Sequence, residues 1–383
     1  MTDNNENKVL NVPHLRFPEF TGEWESFKLT ELGKFIGGGT PSSSNLSFWA
    51  GSIPWISSSD IKEDSINNIS ISRYITEEAI EKSTTKYCPA PVILIVSRVG
   101  VGKVALSYTS LCTSQDFCNI IEIKCHPVFL SYNLLRTMKR KSREVQGTSI
   151  KGITSDELQK IRVFIPQDKD EQNKISNILT LLDERIATQN KIIEDLKKLK
   201  SAIRKKMFSL LKDEYTESFE INQLLDYEQP TAYIVANDEY STDTSLTPVL
   251  TANKGFILGY TDEKFGIYQK GECIIFDDFT MDAKYVSFPF KVKSSAIKIL
   301  TAKPNVNLRF MFEYLSYWEL KSEGHKRHYI SEIASLVIEL PSKERQSIIA
   351  SLMTSLNSKL DIEAKTKIRY EEQKRYLLSQ MFI

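Results

Sequence analysis

Two stretches of the sequence have residue types that could bind phosphate or a metal ion. Arg98–Lys103 contains a Gly-Lys pair. A phosphate-binding P-loop also needs an earlier glycine at fixed spacing and a serine or threonine after the lysine, where this chain has Val104. Asp277 and Asp278 follow an apolar run and could form the carboxylate pair of a nuclease, but no ExK motif follows at short range. We therefore interpret the first stretch as a turn between strands and the second as the polar end of a strand.

Other enzyme signatures are absent from the sequence. No HExxH pair and no GxSxG stretch occur. The chain also has no Pro-Pro, which the catalytic motif of an adenine methyltransferase contains. Cys125 and His126 are adjacent, but no second close-spaced pair completes a four-ligand zinc site. The sequence therefore predicts a protein that is not an enzyme and has no metal or cofactor of its own.

The composition indicates a folded protein of more than one domain. The chain has 383 residues, of which 41% are hydrophobic, so it can form real cores. The five cysteines show no CxxC pairing, which favours a reducing cytoplasm over a disulfide framework. No apolar run approaches the ~18 residues of a membrane span, and residues 1–7 lack the apolar run of a signal peptide. We expect a cytoplasmic protein.

The net charge argues mildly against a free-standing DNA-binding protein. Lys and Arg number 50 against 49 Asp and Glu, which leaves a formal charge of +1, whereas DNA-binding domains usually have a basic excess. Phosphate contacts need only local basic patches, however, so DNA binding is not excluded.

The second half of the sequence repeats the pattern of the first. Each half contains an apolar run, a proline, a polar turn and then a long Ile/Leu-periodic stretch, at 161–186 and at 336–360. A shorter echo, Glu-Ser-Phe, opens each half at 25–27 and 217–219. One constant offset carries Gln172 onto Gln346, Lys200 onto Lys374, and Met207-Phe208 onto Met381-Phe382. The chain is therefore predicted to be an internal duplication.

Each half ends in a long helix with a heptad pattern. Apolar residues recur at alternating steps of four and three, which is typical of a narrow coiled-coil seam. Each seam could instead pack on its own globular part, but two matched seams in one chain favour mutual pairing. Asp168 with Glu171 predicts a capping box before the first helix, and Ser342 can cap the second. The predicted seam consists of Ile175, Leu179, Leu182, Ile186, Ile193, Leu196, Ile203, Met207, Ile349, Met353, Leu356, Leu360, Tyr370, Leu377 and Met381.

These patterns predict an α+β protein with a pseudo-twofold duplication, in which two mixed α/β domains alternate with two long helices that pair as an antiparallel coiled coil. Strands are predicted at 92–96, 120–123, 273–276 and 295–300, bounded mostly by Gly and Pro turns. The predicted order is a disordered tail (1–12), a first globular domain (13–166), a first helix (167–212), a second globular domain (213–341) and a second helix (342–383).

Several segments, in their order, resemble the specificity subunit of type I restriction-modification systems. In the first domain these are 13–24 (PHLRFPEFTGEW), 37–42 (GGGTPS) and 53–56 (IPWI) with Asp60-Ile61 behind it. In the second domain, 229–234 (QPTAYI), 248–252 (PVLTA) and 275–280 (IFDDFT) look like a subtype of the target-recognition domain of that family. No fragment is very specific alone, but their order together with the duplication is.

The resemblance implies that each globular domain is a target-recognition domain that reads one half of a split site on double-stranded DNA. The helices would fix the spacer between the halves and dock two methyltransferase (modification) subunits. Restriction and translocase subunits would complete the complex in a bacterial or archaeal cytoplasm, without a membrane. S-adenosylmethionine, ATP and magnesium would then bind to the partner subunits. A rigid helical spacer suits half-sites that lie about 34–36 Å apart per turn of DNA.

Basic clusters precede the last strand of each globular domain, and their matched placement favours a shared role over chance. Surface charge alone usually reflects solvation, so DNA contact and a solvated face are both open interpretations of these clusters. The predicted DNA-binding residues are Arg98, Lys103, Lys139, Arg140, Arg143, Lys151, Gln229, Tyr233, Lys254, Thr280, Lys284, His325, Lys326 and Arg327. The alternative hypothesis is a coiled-coil adaptor with two protein- or ligand-binding heads and no nucleic-acid role. That adaptor would not explain why the helices match while the heads differ.

Overall fold

The computed structural model describes residues 10–145, 152–211, 216–252, 255–318 and 332–383. The chain divides into two units, of which unit 1 comprises Met1–Asn190 with Lys365–Ile383, and unit 2 comprises Lys191–Ala364. Each unit therefore contains one globular domain and one segment of each long helix. The sequence pattern predicted the domains and the helices but not this division of the helices.

Unit 1 contains ten strands among its described residues. They are β1 (Glu25–Lys28), β2 (Lys34–Gly37), β3 (Ile53–Ile56), β4 (Arg73–Ile75), β5 (Tyr87–Cys88), β6 (Val92–Ile95), β7 (Val104–Ser107), β8 (Leu111–Thr113), β9 (Cys118–Ile121) and β10 (Arg162–Ile165). The helices are α1 (Leu29–Leu32), α2 (Glu77–Glu81), α3 (Pro127–Val145), α4 (Ser155–Lys160) and the first part of α5 (Lys169–Leu210).

The strands of unit 1 form two four-stranded sheets and a two-stranded ladder. The sheet orders are β2-β9-β6-β7 and β4-β3-β8-β5, and the ladder pairs β1 with β10. All residues of β6 and β7 are buried, because α3 covers one face of their sheet and the second sheet covers the other. The central strands are accordingly apolar throughout rather than alternating.

Unit 2 repeats this plan with fewer strands in its second sheet. Its strands are β11 (Glu217–Glu220), β12 (Leu225–Glu228), β13 (Thr247–Leu250), β14 (Ile257–Thr261), β15 (Cys273–Asp277), β16 (Ala283–Val286), β17 (Lys291–Val292), β18 (Ile297–Ala302) and β19 (Val337–Leu340). Its helices are α6 (Ile221–Leu224), α7 (Leu308–Tyr317) and α8 (Lys343–Gln380), of which α8 continues into unit 1. The sheets are β12-β18-β15-β16 and β14-β13-β17, and β11 pairs with β19.

The Glu-Ser-Phe echo forms the same element in both units. In unit 1, Ser26 of β1 is paired with Phe164 of β10. In unit 2, Ser218 of β11 is paired with Glu339 of β19. Each ladder joins the entry of a globular domain to its exit, so that the long helix leaves from beside the point where the domain began.

The two long helices pack against each other antiparallel, as the heptads predicted. In unit 1, Asp183 of α5 contacts Lys374 of α8, and the guanidinium of Arg185 lies 5.8 Å from the ring centroid of Tyr370. The residue numbers of the contacting positions therefore rise along α5 as they fall along α8, so the two helices are antiparallel. The seam positions named above are all buried or half-buried, which is what a narrow seam requires. This confirms the α+β architecture with a coiled coil.

The repeated Met-Phe pair anchors each long helix in a core. Phe382, after the end of α8, packs on Trp24 and Phe129 in unit 1, with ring centroids 6.4 and 5.1 Å apart. Phe208 of α5 packs on Phe310 and Tyr317 in unit 2, at 5.5 and 5.2 Å. Each helix therefore follows one globular domain in sequence and completes the core of the other.

The repeated glutamine closes the connection between globular domain and helix. Gln172 accepts a hydrogen bond from the His126 backbone N–H and donates one to the Pro166 carbonyl, both at 2.9 Å. Gln346 does the same with the Asn307 N–H at 2.8 Å and the Pro341 carbonyl at 2.9 Å. Both side chains are buried, so each satisfies one buried backbone donor and one acceptor.

Replacing Gln346 by methionine is expected to lower the free energy of unfolding of unit 2 by about 1–3 kcal/mol, because the Asn307 N–H loses its acceptor inside the protein. Chemical denaturation of wild type and variant measures the difference. Gln373→Met is the matched control, since Gln373 is exposed on the same helix. An equal loss of stability in both variants would contradict the capping role.

The predicted capping box of α5 forms only in part. Asp168 caps the helix, with its carboxylate accepting from the Asp170 N–H at 2.8 Å. Glu171 instead points inward, fully buried, and binds the Arg16 guanidinium through two bonds of 2.7 Å and the Trp24 indole N–H at 3.2 Å. A bidentate charged pair outweighs a single capping bond. Ser342 caps α8 through the Arg345 N–H at 3.3 Å, as predicted.

Candidate nucleic-acid interface

The turn between β6 and β7 lies against the last turns of α3 in unit 1. A Cβ built on Gly102, which has a φ of +112°, would lie 3.2 Å from the Ser142 hydroxyl oxygen of α3. The Ile153 N–H donates to the Ser97 carbonyl at 2.7 Å, so the chain returns to this turn after residues 146–151. Arg98 is exposed in this turn, and Lys103 is half-buried with its ammonium 3.1 Å from the Ser58 carbonyl. The structure thus brings Arg98 and Lys103 close to the basic end of α3.

The basic residues of α3 differ in what they contact. Arg136 donates to the Ile383 carbonyl at 2.6 Å, and Lys139 forms an ion pair with Asp64, so both hold neighbouring segments in place. Arg140 and Arg143 are exposed. All four line a cleft of about 850 Å³ in unit 1, together with Arg375 and other residues of α5 and α8. Arg140 and Arg143 are therefore the better placed to reach a phosphate backbone.

A buried charged cluster lies beneath this cleft. The ammonium of Lys374 binds the Asp183 carboxylate and the Asp64 carbonyl, the latter at 2.5 Å. The Tyr132 hydroxyl donates to the other Asp183 oxygen at 2.7 Å. Burial lowers the pKa of Lys374, and the Asp183 carboxylate opposes that change. Burial raises the pKa of Tyr132, and Asp183 adds to that rise, so the hydroxyl remains a donor.

Unit 2 has a different cluster at the equivalent position. Glu313 of α7 is fully buried, with the Arg204 guanidinium at 2.6 Å, the Lys200 ammonium at 3.8 Å and the Asn357 amide nitrogen at 3.2 Å. The offset of the duplication carries Lys200 onto Lys374. The cation therefore keeps its place in both units, whereas the acid lies on α5 in unit 1 and on the short helix α7 in unit 2. Polar pairs of this kind fix helix register.

Three strand ends meet at one edge of the first sheet of unit 2, where β12 and β15 end and β18 begins. Gln229 follows β12 and is exposed, while Asp278 follows β15 and is buried. Lys298 of β18 is buried, with its ammonium 3.5 Å from the Asp278 carboxylate and 3.2 Å from the Gln229 side-chain oxygen. Thr280 is exposed in the adjacent β15–β16 turn. This edge brings Gln229 and Thr280, both predicted DNA-binding residues, into one region.

Two further predicted DNA-binding residues of unit 2, Tyr233 and Lys284, are buried and half-buried. Tyr233 is 8% exposed and packs edge-on against Tyr268, with a distance of 5.2 Å between the ring centroids. Its hydroxyl donates a hydrogen bond to the Glu228 carboxylate at 2.8 Å, so the side chain holds neighbouring residues in place. Lys284 is half-buried on β16. The remaining predicted contacts lie outside the described residues: Lys151, Lys254, His325, Lys326 and Arg327.

Sequence reasoning missed Lys298. It interpreted Asp277 and Asp278 as a polar strand end, which is correct for Asp277, whose carboxylate accepts from the Phe279 and Thr280 N–H groups at 2.9 Å. A lysine inside the apolar β18 segment was the available signal, because an unpaired lysine is rarely fully buried. Within the described residues, no group of three or more His, Cys, Asp or Glu side chains is arranged to hold a metal ion.

Apolar side chains are exposed on the helical segments of unit 2. Ile192 and Leu199 are seven residues apart and so share one face of α5, with 38% and 49% of their surface exposed. Ile348, Leu352 and Ile362 are exposed on α8 in the same unit. Exposed apolar residues grouped on a helix are typical of a protein-docking surface.

A family model, described as the type I restriction modification DNA specificity domain, matches both halves of the chain, at residues 21–198 and 214–372. The chain belongs to this specificity-domain family. The two matches coincide with the two repeats, each consisting of a globular domain and most of the long helix that follows it.

Two specificity subunits of type I restriction enzymes are similar to parts of the chain. The EcoR124I/EcoR124II specificity subunit of Escherichia coli is 39% identical over 178 residues, which is 42% of this chain and 43% of that protein. The MjaIX specificity subunit of Methanocaldococcus jannaschii is 31% identical over 220 residues, covering 56% of this chain and 50% of that protein. The chain thus matches about half the length of these relatives.

Solved structures share the fold over almost the whole chain. The crystal structure of the type I restriction-modification S subunit from M. genitalium has a TM-score of 0.66, at 16% identity, and covers 97% of this chain and 99% of that one. A chain from a study of assembly and conformational transition of the type I system has a TM-score of 0.57, at 13% identity, covering 94% and 97%. None of the described helices of this specificity-domain protein is long and apolar enough to cross a membrane.

Proposed function

We propose that this chain is the DNA-recognition subunit of a type I restriction-modification complex and that each unit reads one half of a bipartite site. The observation that carries the proposal is that one specificity-domain model matches both repeats while their exposed loops differ. In unit 1 the candidate surface is the basic end of α3 with Arg98. In unit 2 it is the sheet edge with Gln229 and Thr280. Two units with the same fold but different candidate surfaces are what recognition of a DNA site with two different halves requires.

The chain would contribute no catalytic group. The conspicuous buried charges, such as Lys374 with Asp183 and Glu313 with Arg204, are paired inside the protein and so serve packing and register. Methyl transfer with S-adenosylmethionine would take place on two modification subunits, and ATP- and magnesium-dependent translocation and cleavage on restriction subunits. The exposed apolar residues of α5 and α8 support docking of the modification subunits. Docking there would remove apolar surface from water, which favours binding. The complex would work in a bacterial or archaeal cytoplasm.

The pairing of the helices supports a role as a ruler between the half-sites. Each helix is anchored at both ends, at one by the glutamine connection of one unit and at the other by the Met-Phe pair in the core of the other unit. We infer from these anchors that the helices set the spacer between the two half-sites.

Exchanging residues 191–364 for the equivalent segment of another family member is expected to change one half of the methylated site and leave the other half unchanged. The segment is the whole of unit 2, so Phe208 and Met353 move together with the core that they complete. The measurement is methylome sequencing of cells that carry the complete system. Exchange of residues 213–341 alone is the comparison, since it leaves Phe208 facing a foreign core and should give less protein. Alteration of both half-sites would refute independent reading.

A further inference from the structure

We propose that Gln229 reads an adenine in the half-site contacted by unit 2, and that the buried pair of Lys298 and Asp278 holds its carboxamide in the reading orientation. This inference rests on the proposed function, since it names a base-reading residue within the DNA interface. It follows from the hydrogen bonds at the sheet edge where β12, β15 and β18 meet.

The orientation of the Gln229 carboxamide is fixed by the chemistry of its neighbours. The ammonium of Lys298 lies 3.2 Å from the Gln229 oxygen, and an ammonium group only donates hydrogen bonds. The oxygen of the carboxamide must therefore face Lys298. The nitrogen then donates to the Tyr227 hydroxyl at 2.7 Å. Without the lysine, the two ends of the amide could exchange places, because a tyrosine hydroxyl both donates and accepts.

The ion pair of Lys298 with Asp278, which lies next to Gln229, is buried and so differs from a salt bridge at the protein surface. Lys298 and Asp278 side chains are each 1% exposed, with nitrogen and oxygen 3.5 Å apart. A buried ion pair often stabilises a protein no more than apolar residues of the same volume, because both charges lose their hydration. Stability alone therefore does not account for the pair. Its observable effect is to place one strong donor behind an exposed side chain.

The free hydrogen-bonding capacity of Gln229 matches one base. A carboxamide has two acceptor sites on oxygen and two N–H donors. The bonds to Lys298 and Tyr227 use one of each, which leaves one acceptor and one donor on an exposed side chain. Adenine presents an N7 acceptor beside an N6 amino donor in the major groove, and glutamine pairs with both. A phosphate group offers only acceptors, and the buried charge of Lys298 is not available to it.

The test compares Gln229→Ala and Gln229→Glu in the complete system. With alanine, we expect one adenine position of the second half-site to become degenerate, with discrimination at that position falling on the order of tenfold to a hundredfold. With glutamate, the side chain only accepts, so preference should move towards cytosine, whose N4 amino group donates. Methylome sequencing identifies the position, and binding of the purified complex to duplexes that differ there gives the ratio.

A second variant tests the positioning pair. Lys298→Met with Asp278→Leu removes both charges together, so that no unpaired charge stays buried. We expect a folded protein in which the same position loses part of its adenine preference. Gln167→Ala is the matched control, because Gln167 is an exposed glutamine of unit 1 and its loss should leave the second half-site unchanged.

The outcomes separate this inference from the proposed function. An unchanged second half-site in Gln229→Ala, or degeneracy only in the first half-site, would overturn the inference alone. Retained adenine preference in the Lys298 and Asp278 double variant would overturn the positioning role. A methylome that does not change when the gene for this chain is deleted would overturn the proposed function, and the inference with it.

Discussion

Replacing Phe382 by alanine is expected to lower the free energy of unfolding of unit 1 by about 3–5 kcal/mol, the usual cost of removing a fully packed phenylalanine. Phe382 is 1% exposed and is in ring contact with Trp24 and Phe129. Alanine would leave a cavity between α3, the segment before β1 and the end of α8. Hydrogen–deuterium exchange measured peptide by peptide reports the loss, because it follows each unit separately.

Two comparisons make this prediction specific. Phe208→Ala removes the repeat-related side chain, which is 4% exposed in the core of unit 2, and should raise exchange there to a similar degree. Tyr376→Ala is the exposed control, since Tyr376 lies near the end of α8, shortly before Phe382, and is 58% exposed. If Phe382→Ala loosened only unit 2, or behaved like Tyr376→Ala, the anchoring role of the Met-Phe pair would be wrong.

Replacing Lys374 by methionine is expected to cost unit 1 about 3–5 kcal/mol, because it leaves the Asp183 carboxylate buried without its cation. Asp183 is 8% exposed, and the described contacts of its carboxylate would then be reduced to the Tyr132 hydroxyl. The loss is expected in denaturant titrations and as faster exchange where α5 meets α8. Lys367→Met is a control on the same helix, since Lys367 pairs at the surface with Glu371 and such pairs contribute about 0–1 kcal/mol.

A triple variant distinguishes a lost ion pair from lost packing. Lys374→Met combined with Asp183→Leu and Tyr132→Phe removes the cation, the acid and the hydroxyl together, so neither charge of the pair stays buried without its partner. We expect most of the stability to return, because apolar replacement of a buried charged group is commonly neutral or stabilising. A triple variant as unstable as Lys374→Met would show that the shape of Lys374, and not its charge, is what the site needs.

The long helices were predictable because their signal is local and repeats many times. Every seven residues of α5 give an independent indication of the seam, and Gln172 and Gln346 were visible as repeats before their backbone partners were known. What each end of a helix packs against could not be predicted in the same way. Nothing near Phe208 in the sequence indicates that it belongs with Phe310 rather than with Phe129, because that choice depends on contacts between distant segments.

The candidate interface was predictable only in outline. Composition and placement singled out Arg140, Arg143, Gln229 and Thr280, which the structure leaves exposed. The same reasoning grouped Lys139 with them, although its ammonium forms an ion pair with Asp64. Whether a basic residue on a helix faces solvent or a neighbour depends on its angular position on the helix and on what packs beside that helix. The sequence determines only the angular position.

The division of the helices between units also sets the order in which the protein can be completed during synthesis. Unit 2 is one continuous segment, 191–364, so all of its parts have been made when Ala364 is added. Unit 1 needs residues 365–383, and the contact of Arg136 with Ile383 joins positions 247 residues apart. At about 5–20 residues per second, the domain that is made first therefore waits on the order of ten seconds or more with part of its apolar core uncovered. A nonsense mutation just after Ala364 would consequently damage the globular domain that precedes unit 2 in the sequence, and chaperone dependence should be concentrated in that domain.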